Sequence, residues 1–246
     1  MALQFLTIIP VKIKHIDERK LAKSIIYFPL IGLLLGLVLA GINSLFLKIN
    51  FPELSINIIL VVSLIVLTGG LHLDGLADTF DALFSRKNKQ GMLEIMRDSR
   101  IGAMGVLSLI SIVLLKIAFL SSLSVSLKTT ALLLMCILSR WALVLCMFLF
   151  PYARKEGKAK VFIQGMTLKI LILSTLIALA STFAIYKIKG LLVFVIIALN
   201  GYTISKFINN KIGGITGDIL GAINELNEVI ALFSICILER INLWII

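Results

Sequence analysis

Charge is scarce in this 246-residue chain. Asp, Glu, Lys and Arg make up 15% of it, and hydrophobic residues 59%, where an ordinary soluble domain has about 25% charged and roughly 45–50% apolar residues. That shortage excludes a disordered segment, a coiled coil and an ordinary soluble core. Cysteine is nearly absent: Cys136, Cys146 and Cys236 all lie in apolar runs at no paired spacing, which excludes a disulfide framework and a zinc site and leaves them as small apolar fillers. The short alternating segments of a β-barrel are missing, and so are internal repeats and low-complexity tracts. The opening MALQFLTIIPV has neither a basic stretch before it nor a small-residue cleavage site after it, so it reads as a short interfacial helix and not as a cleavable signal.

What the chain has is long apolar runs such as LILSTLIALASTFAIY. About 20 such residues cross a ~30 Å hydrocarbon layer as a helix, and helices are the remaining way to satisfy backbone polar groups in lipid. The reading is an all-α, polytopic membrane bundle forming a single membrane domain over 1–246, with about seven transmembrane helices (six to eight). They are expected near 25–47, 56–73, 102–123, 129–150, 168–187, 190–206 and 219–238. Alternate loops hold 17 Lys and Arg on one side and 5 on the other, which places the N-terminus and the long loops in the cytoplasm. The same rule accounts for most of the +11 net charge, so that charge does not call for nucleic acid.

Eight of the 13 acidic residues crowd two short stretches. Carboxylates at a membrane helix end are costly unless paired or bound to a cation, so function is the default reading. In TGGLHLDGLADTFDALFSR, Asp74, Asp78 and Asp81 stand at i, i+4 and i+7, on one face if the segment is helical. Two such charges about 6 Å apart repel by roughly 3 kcal/mol at an effective dielectric of 20. A divalent cation reverses that sign, and Mg²⁺ commonly takes one or two carboxylates together with substrate phosphates. The bland alternative is a solvated acidic helix end. Gly69, Gly70 and Gly75 would let a phosphate or another backbone approach, and His72 is a candidate phosphate donor or base.

In KNKQGMLEIMRDSRIGAMG, Arg97, Asp98 and Arg100 precede a helix start at Gly102. Arginine forks and free N–H groups there suit an anion; the alternative is a positive-inside anchor. In GGITGDILGAINELNEVIAL, Asp218, Glu225 and Glu228 could share a helical face, with Asn224 beside them, as a second metal-ligand set or as the base for an attacking hydroxyl. Arg140, inside the fourth span, should face the bundle interior and pair either with one of these acids or with a substrate phosphate.

GGLHLDGLADTFDAL, MRDSRIGAMGV and GDILGAINELNE, in this order and with FLTIIPV at the start, resemble the cobalamin synthase family, the membrane-bound adenosylcobinamide-GDP ribazoletransferases, over essentially the whole chain. Phe80 stands where that family usually has a small residue. The resemblance implies transfer of the adenosylcobinamide phosphate moiety from adenosylcobinamide-GDP to α-ribazole or its 5′-phosphate, with release of GMP. It also implies Mg²⁺ dependence and a place in the bacterial or archaeal cytoplasmic membrane, with the site facing the cytoplasm. On this reading Asp74, Asp78 and Asp81, with Glu228, are the candidate metal ligands. Asp218 or Glu225 orients the acceptor hydroxyl, and His72, Gly75, Arg97, Asp98, Arg100, Arg140 and Asn224 are candidate substrate contacts. Two alternatives stand beside it. A CDP-alcohol phosphotransferase would need an Ala-Arg pair where Asp78 and Thr79 stand. An ion-coupled transporter would use the intramembrane acids and Arg140 as a relay.

Overall fold

A computed structural model describes residues 1–11, 17–157 and 159–243. Its helices are α1 (Ala2–Leu6), α2 (Glu18–Lys23), α3 (Phe28–Lys48), α4 (Glu53–Thr68), α5 (Leu71–Phe84), α6 (Lys89–Ile95), α7 (Ala103–Ser122), α8 (Val125–Leu149), α9 (Lys160–Gln164), α10 (Leu168–Ile212) and α11 (Gly217–Leu243), with a 3₁₀ turn, Ser24–Tyr27, leading into α3. Among the described residues the extended pairing is a single parallel bridge, Tyr152 to Ile215. The chain is therefore an all-α, multi-pass membrane bundle. Five helices are long and apolar enough to cross a membrane, or six if the bent pair α4–α5 counts as one span.

The seven expected segments all fall on helical runs, because α10 is two helices folded back on each other. Tyr186 and Lys187 leave helical geometry, Lys187 with φ 49°. A Cβ on Gly190 would lie 2.7 Å from the carbonyl oxygen of Thr182, although eight residues of straight helix rise about 12 Å. Trp141 touches both halves, its indole N–H donating to Thr175 Oγ1 at 3.0 Å and its ring packing on Phe194 with centroids 3.9 Å apart and planes tilted by 32°.

One boundary differs from expectation. The second span was expected to run to residue 73, but α4 stops at Thr68, where Gly69 and Gly70 both take left-handed conformations (φ 62° and 69°). Two successive residues at positive φ end a helix at little cost only when both are glycine. The chain then turns by 90° into α5, so His72 and the acids after it leave the direction of the span.

Burial separates the centre from the rim. In α8 and α11, 78% and 83% of the apolar window is buried, against 28% in α7 and 22% in α10. The outer helices present leucines such as Leu107, Leu114, Leu176 and Leu199 to the surroundings, as a lipid-facing surface should. Helix association in lipid relies on close backbone approach. Gly32 and Gly36 of α3 provide it: a Cβ on either would lie within 2.8 Å of α8 backbone atoms at Ile137 or Leu133. The short α1 closes one end, with Phe5 packed on Phe28 of α3 and Phe162 of α9.

Because the atoms facing Gly32 are backbone and cannot rotate away, Gly32→Leu must separate α3 from α8. Overpacking typically costs about 1–3 kcal/mol. The expected outcome is a clearly lower unfolding midpoint in detergent, and an unchanged midpoint would contradict this packing.

Candidate active site

Three segments remote in sequence meet at one end of the bundle: α5, the stretch from Pro151 to α9, and the turn that leads into α11. The bridge holds two of them together, with Ala153 N donating to Ile215 O at 2.9 Å and Ile215 N to Pro151 O at 2.8 Å. The third is held by glycine. A Cβ on Gly75 would sit 2.6 Å from the carbonyl oxygen of Asp218, and one on Gly221 would sit 2.9 Å from that of His72. Of the two uses expected for Gly75, the structure shows the approach of another backbone, that of α11.

Between these segments lies a cavity of about 300 Å³. His72, Asp74, Tyr152, Arg154 and Asp218 supply its polar wall, and Phe5, Phe28, Leu143, Met147 and Phe162 its apolar one. Arg154 Nη2 is 2.6 Å from Asp218 Oδ2, and the Arg154 side chain is only 10% exposed. Its Nε and Nη2 nonetheless lack a well-angled acceptor, and the buried Nδ1 of His72 has no hydrogen-bond partner at all. Buried donors of this kind are costly unless a partner arrives, and a phosphate oxygen is the natural partner for a guanidinium fork.

Asp74 is exposed and Asp78 half-buried on α5. Burial first, then the charges of Asp74 and Asp218, push the Asp78 carboxyl up from its ordinary 3.8 to about 7, against the pull of Arg154. The three acids therefore sense one another across α5 and α11. Among the described residues, however, no three His, Cys, Asp or Glu side chains are placed to hold a metal by themselves. Asp81, the third member of the expected row, spends its carboxylate elsewhere: it accepts from Gly102 N at 2.6 Å and Gly105 N at 2.8 Å. It thereby satisfies free N–H groups at the start of α7 and complements that helix dipole.

The RDSRIG unit divides. Arg100 forks onto Asp98 in solvent, with Nη2 to Oδ2 at 2.6 Å and an 87% exposed side chain. Those hydrogen bonds hold the Asp98 carboxyl down at about 2. Arg97 is exposed, and its charge reaches the phenol of Tyr152 at the cavity.

Glu225 and Glu228 lie deeper, in the core. Lys116 of α7 donates to Glu225 Oε2 at 2.6 Å and also to Glu228 Oε2, while Arg140 of α8 donates to Glu228 Oε1 and to Ser139 Oγ. Asn224 Nδ2 donates to Glu228 Oε1 at 3.0 Å. Two cations and two anions thus cancel in a group whose members are all buried. Of the two partners expected for Arg140, it is the acid that it meets here.

Sequence reasoning missed three residues here. Arg154 and Tyr152 sit in a loop whose basic residues read as ordinary membrane anchors, and no local pattern sets them apart. Lys116 did carry a signal: two acids buried in one span require two cations nearby, and Arg140 is only one.

Residues 1–236 match the family described as Cobalamin-5-phosphate synthase. The chain belongs to that family. It is 39% identical to a Desulforamulus reducens protein named adenosylcobinamide-GDP ribazoletransferase, over 99% of this chain and 97% of the relative. Proteins of the same name from a Thermoanaerobacter species and from Acetivibrio thermocellus are 40% and 43% identical, over 94% and 91% of both chains respectively. Membership in this family rules against the CDP-alcohol phosphotransferase and transporter alternatives. No solved structure matches the chain.

The position of Asp78 has a consequence for stability. A carboxyl near 7 in the folded state and near 3.8 unfolded means that the folded protein binds the proton more tightly. Stability must then fall as pH rises from about 4 through about 7. Asp78→Asn removes this loss. With a chelator present, its unfolding midpoint should gain on the wild type between pH near 5 and pH near 8; a constant difference would contradict the assignment.

Proposed function

We propose that this protein transfers the adenosylcobinamide phosphate moiety from adenosylcobinamide-GDP to α-ribazole, or to its 5′-phosphate, in the cavity between α5, α11 and the segment 152–157. The observation that carries the reading is the convergence of Asp74, Asp218 and the only partly paired Arg154 guanidinium in one partly apolar pocket, in a chain of this family. In the reaction the acceptor 5′-hydroxyl oxygen bonds to the β-phosphorus. The bond from that phosphorus to the bridging oxygen breaks, and GMP leaves. Such a transfer asks the protein for positioning and charge compensation more than for covalent chemistry.

Arg154 holds the diphosphate with its free N–H groups, His72 donates from the floor of the cavity, and Arg97 extends the positive charge to the rim. Asp218 orients the acceptor hydroxyl and takes its proton. Glu225, closed in by Lys116, is left to hold the bundle together, and Glu228 with it. Asp74 and Asp78 are the carboxylates that would hold Mg²⁺: oxygen donors, one exposed and one half-buried, in mutual repulsion that a cation relieves. Bound there with the substrate phosphates, Mg²⁺ would neutralise the diphosphate charge. A bacterial cytoplasmic membrane location, with the N-terminus and the site on the cytoplasmic side, fits the excess of Lys and Arg in the loops at this end.

The test is a transfer assay in lipid nanodiscs with adenosylcobinamide-GDP and α-ribazole, following GMP and the corrinoid product. Mg²⁺-dependent formation of both is expected. Arg154→Ala should lower turnover by about 10²–10³-fold, the usual effect of losing one charge-stabilising donor, and Asp74→Asn should abolish it. No product from folded protein would overturn the reaction, and a full rate in Asp74→Asn would overturn the metal assignment.

A further inference from the structure

Next to the active-site cavity, on the other face of α9, lies a second and larger depression of about 750 Å³. Four cations line it from three separate segments: Arg19 and Lys23 of α2, Lys160 of α9, and Lys169 in the first turn of α10. Among the described residues no carboxylate lines it, and none of the four cations takes part in an ion pair. Lys160 donates once, to the carbonyl of Lys155 at 2.7 Å, which leaves it two further N–H donors. The walls are fixed by packing, since Gly165 and Ala22 approach so closely that a Cβ on the glycine would collide with the alanine methyl. Interleaved with the cations are Ala22, Ile26, Val161 and Ile170, an apolar content that a purely ionic surface has no use for.

Its position in the bundle narrows the choice of ligand. The depression lies where the apolar helices α3 and α10 begin, near the exposed Tyr27, Leu30, Leu168 and Ile172, and the end of a spanning helix is where hydrocarbon gives way to headgroups. It also continues into a furrow of about 540 Å³ that shares Lys23 and Ile26 and runs along Leu3, Tyr27 and Ile31. Positive charge opening onto a greasy channel matches one molecule better than any soluble anion: a lipid with a phosphate headgroup and an acyl chain. Basic pockets between helices at the membrane surface suit such headgroups.

We infer that the groove between α2, α9 and the start of α10 is a binding site for an anionic phospholipid, its phosphodiester held by Arg19, Lys23, Lys160 and Lys169 and an acyl chain lying in the furrow past Ile26. The lipid joins α2 to α9, and α9 carries Phe162 into the wall of the active-site cavity on its opposite face. This site stands apart from the chemistry proposed above, and its test reads binding alone.

The experiment is native mass spectrometry of the full-length protein released from nanodiscs containing phosphatidylcholine and phosphatidylglycerol in equal amounts. Wild-type protein should retain phosphatidylglycerol selectively. Arg19→Gln/Lys23→Gln/Lys169→Gln should hold it on the order of a hundredfold more weakly, three charges near a headgroup each contributing a few-fold. Arg86→Gln/Lys206→Gln/Lys211→Gln, which removes as much charge from exposed positions outside the groove, should retain it like the wild type; equal loss in the two variants would overturn the site in favour of diffuse attraction. In a further arm, millimolar inorganic phosphate or glycerol 3-phosphate should leave the lipid in place. Displacement by either would overturn the lipid assignment and make the groove a site for soluble phosphate.

Discussion

A carboxylate in the middle of an apolar bundle has to find a cation, and in this protein two of them do so together. Glu225 and Glu228 of α11 are held between Lys116 of α7 and Arg140 of α8. The desolvation of four charges is tolerable because they cancel, and because Asn224 and Ser139 supply further hydrogen bonds. Removing one partner from such a group leaves an uncompensated charge and costs about 3–5 kcal/mol. Such a cluster therefore acts as a registry device. It sets the depth of α11 against α7 and α8, and with it the height at which Asp218 emerges at the end of the bundle.

From that fixed point the site follows. Asp218 meets α5 across the glycine contact at Gly75, and α5 can lie there because Gly69 and Gly70 turn the chain through 90° after α4. Asp81 then ties α5 to the start of α7 through two backbone N–H groups. The acids of the chain divide between two kinds of work: Asp81, Glu225 and Glu228 are consumed in holding helices together, while Asp74, Asp78 and Asp218 stay beside the cavity with their charges incompletely matched.

The sequence made the spans legible because lipid imposes a demand that composition reports directly: about 20 apolar residues for each crossing. The segment expected at 190–206 has its helix too, reached through the reversal at Tyr186 and Lys187. The two acidic stretches were legible for the related reason that charge is expensive in such a chain. Partner choice was not. Lys116 meets acids 109 and 112 residues away, and Asp81 meets backbone groups of the next helix; neither pairing leaves a mark in local periodicity. Arg154 was hidden by context, since loops rich in Lys and Arg on one side are what membrane orientation requires whether or not one of them turns inward. The early end of α4 was the one boundary at which turn chemistry, in the form of Gly69 and Gly70, overrode the apolar run.

Comparing Glu228→Gln with Asp218→Asn for unfolding midpoint and turnover in the same nanodiscs tests this division of labour along α11. Glu228→Gln should lower the midpoint sharply, and Asp218→Asn should keep a midpoint close to the wild type while losing turnover. A Glu228→Gln protein that melts like the wild type but no longer turns over would contradict it, and would return Glu228 to the chemistry.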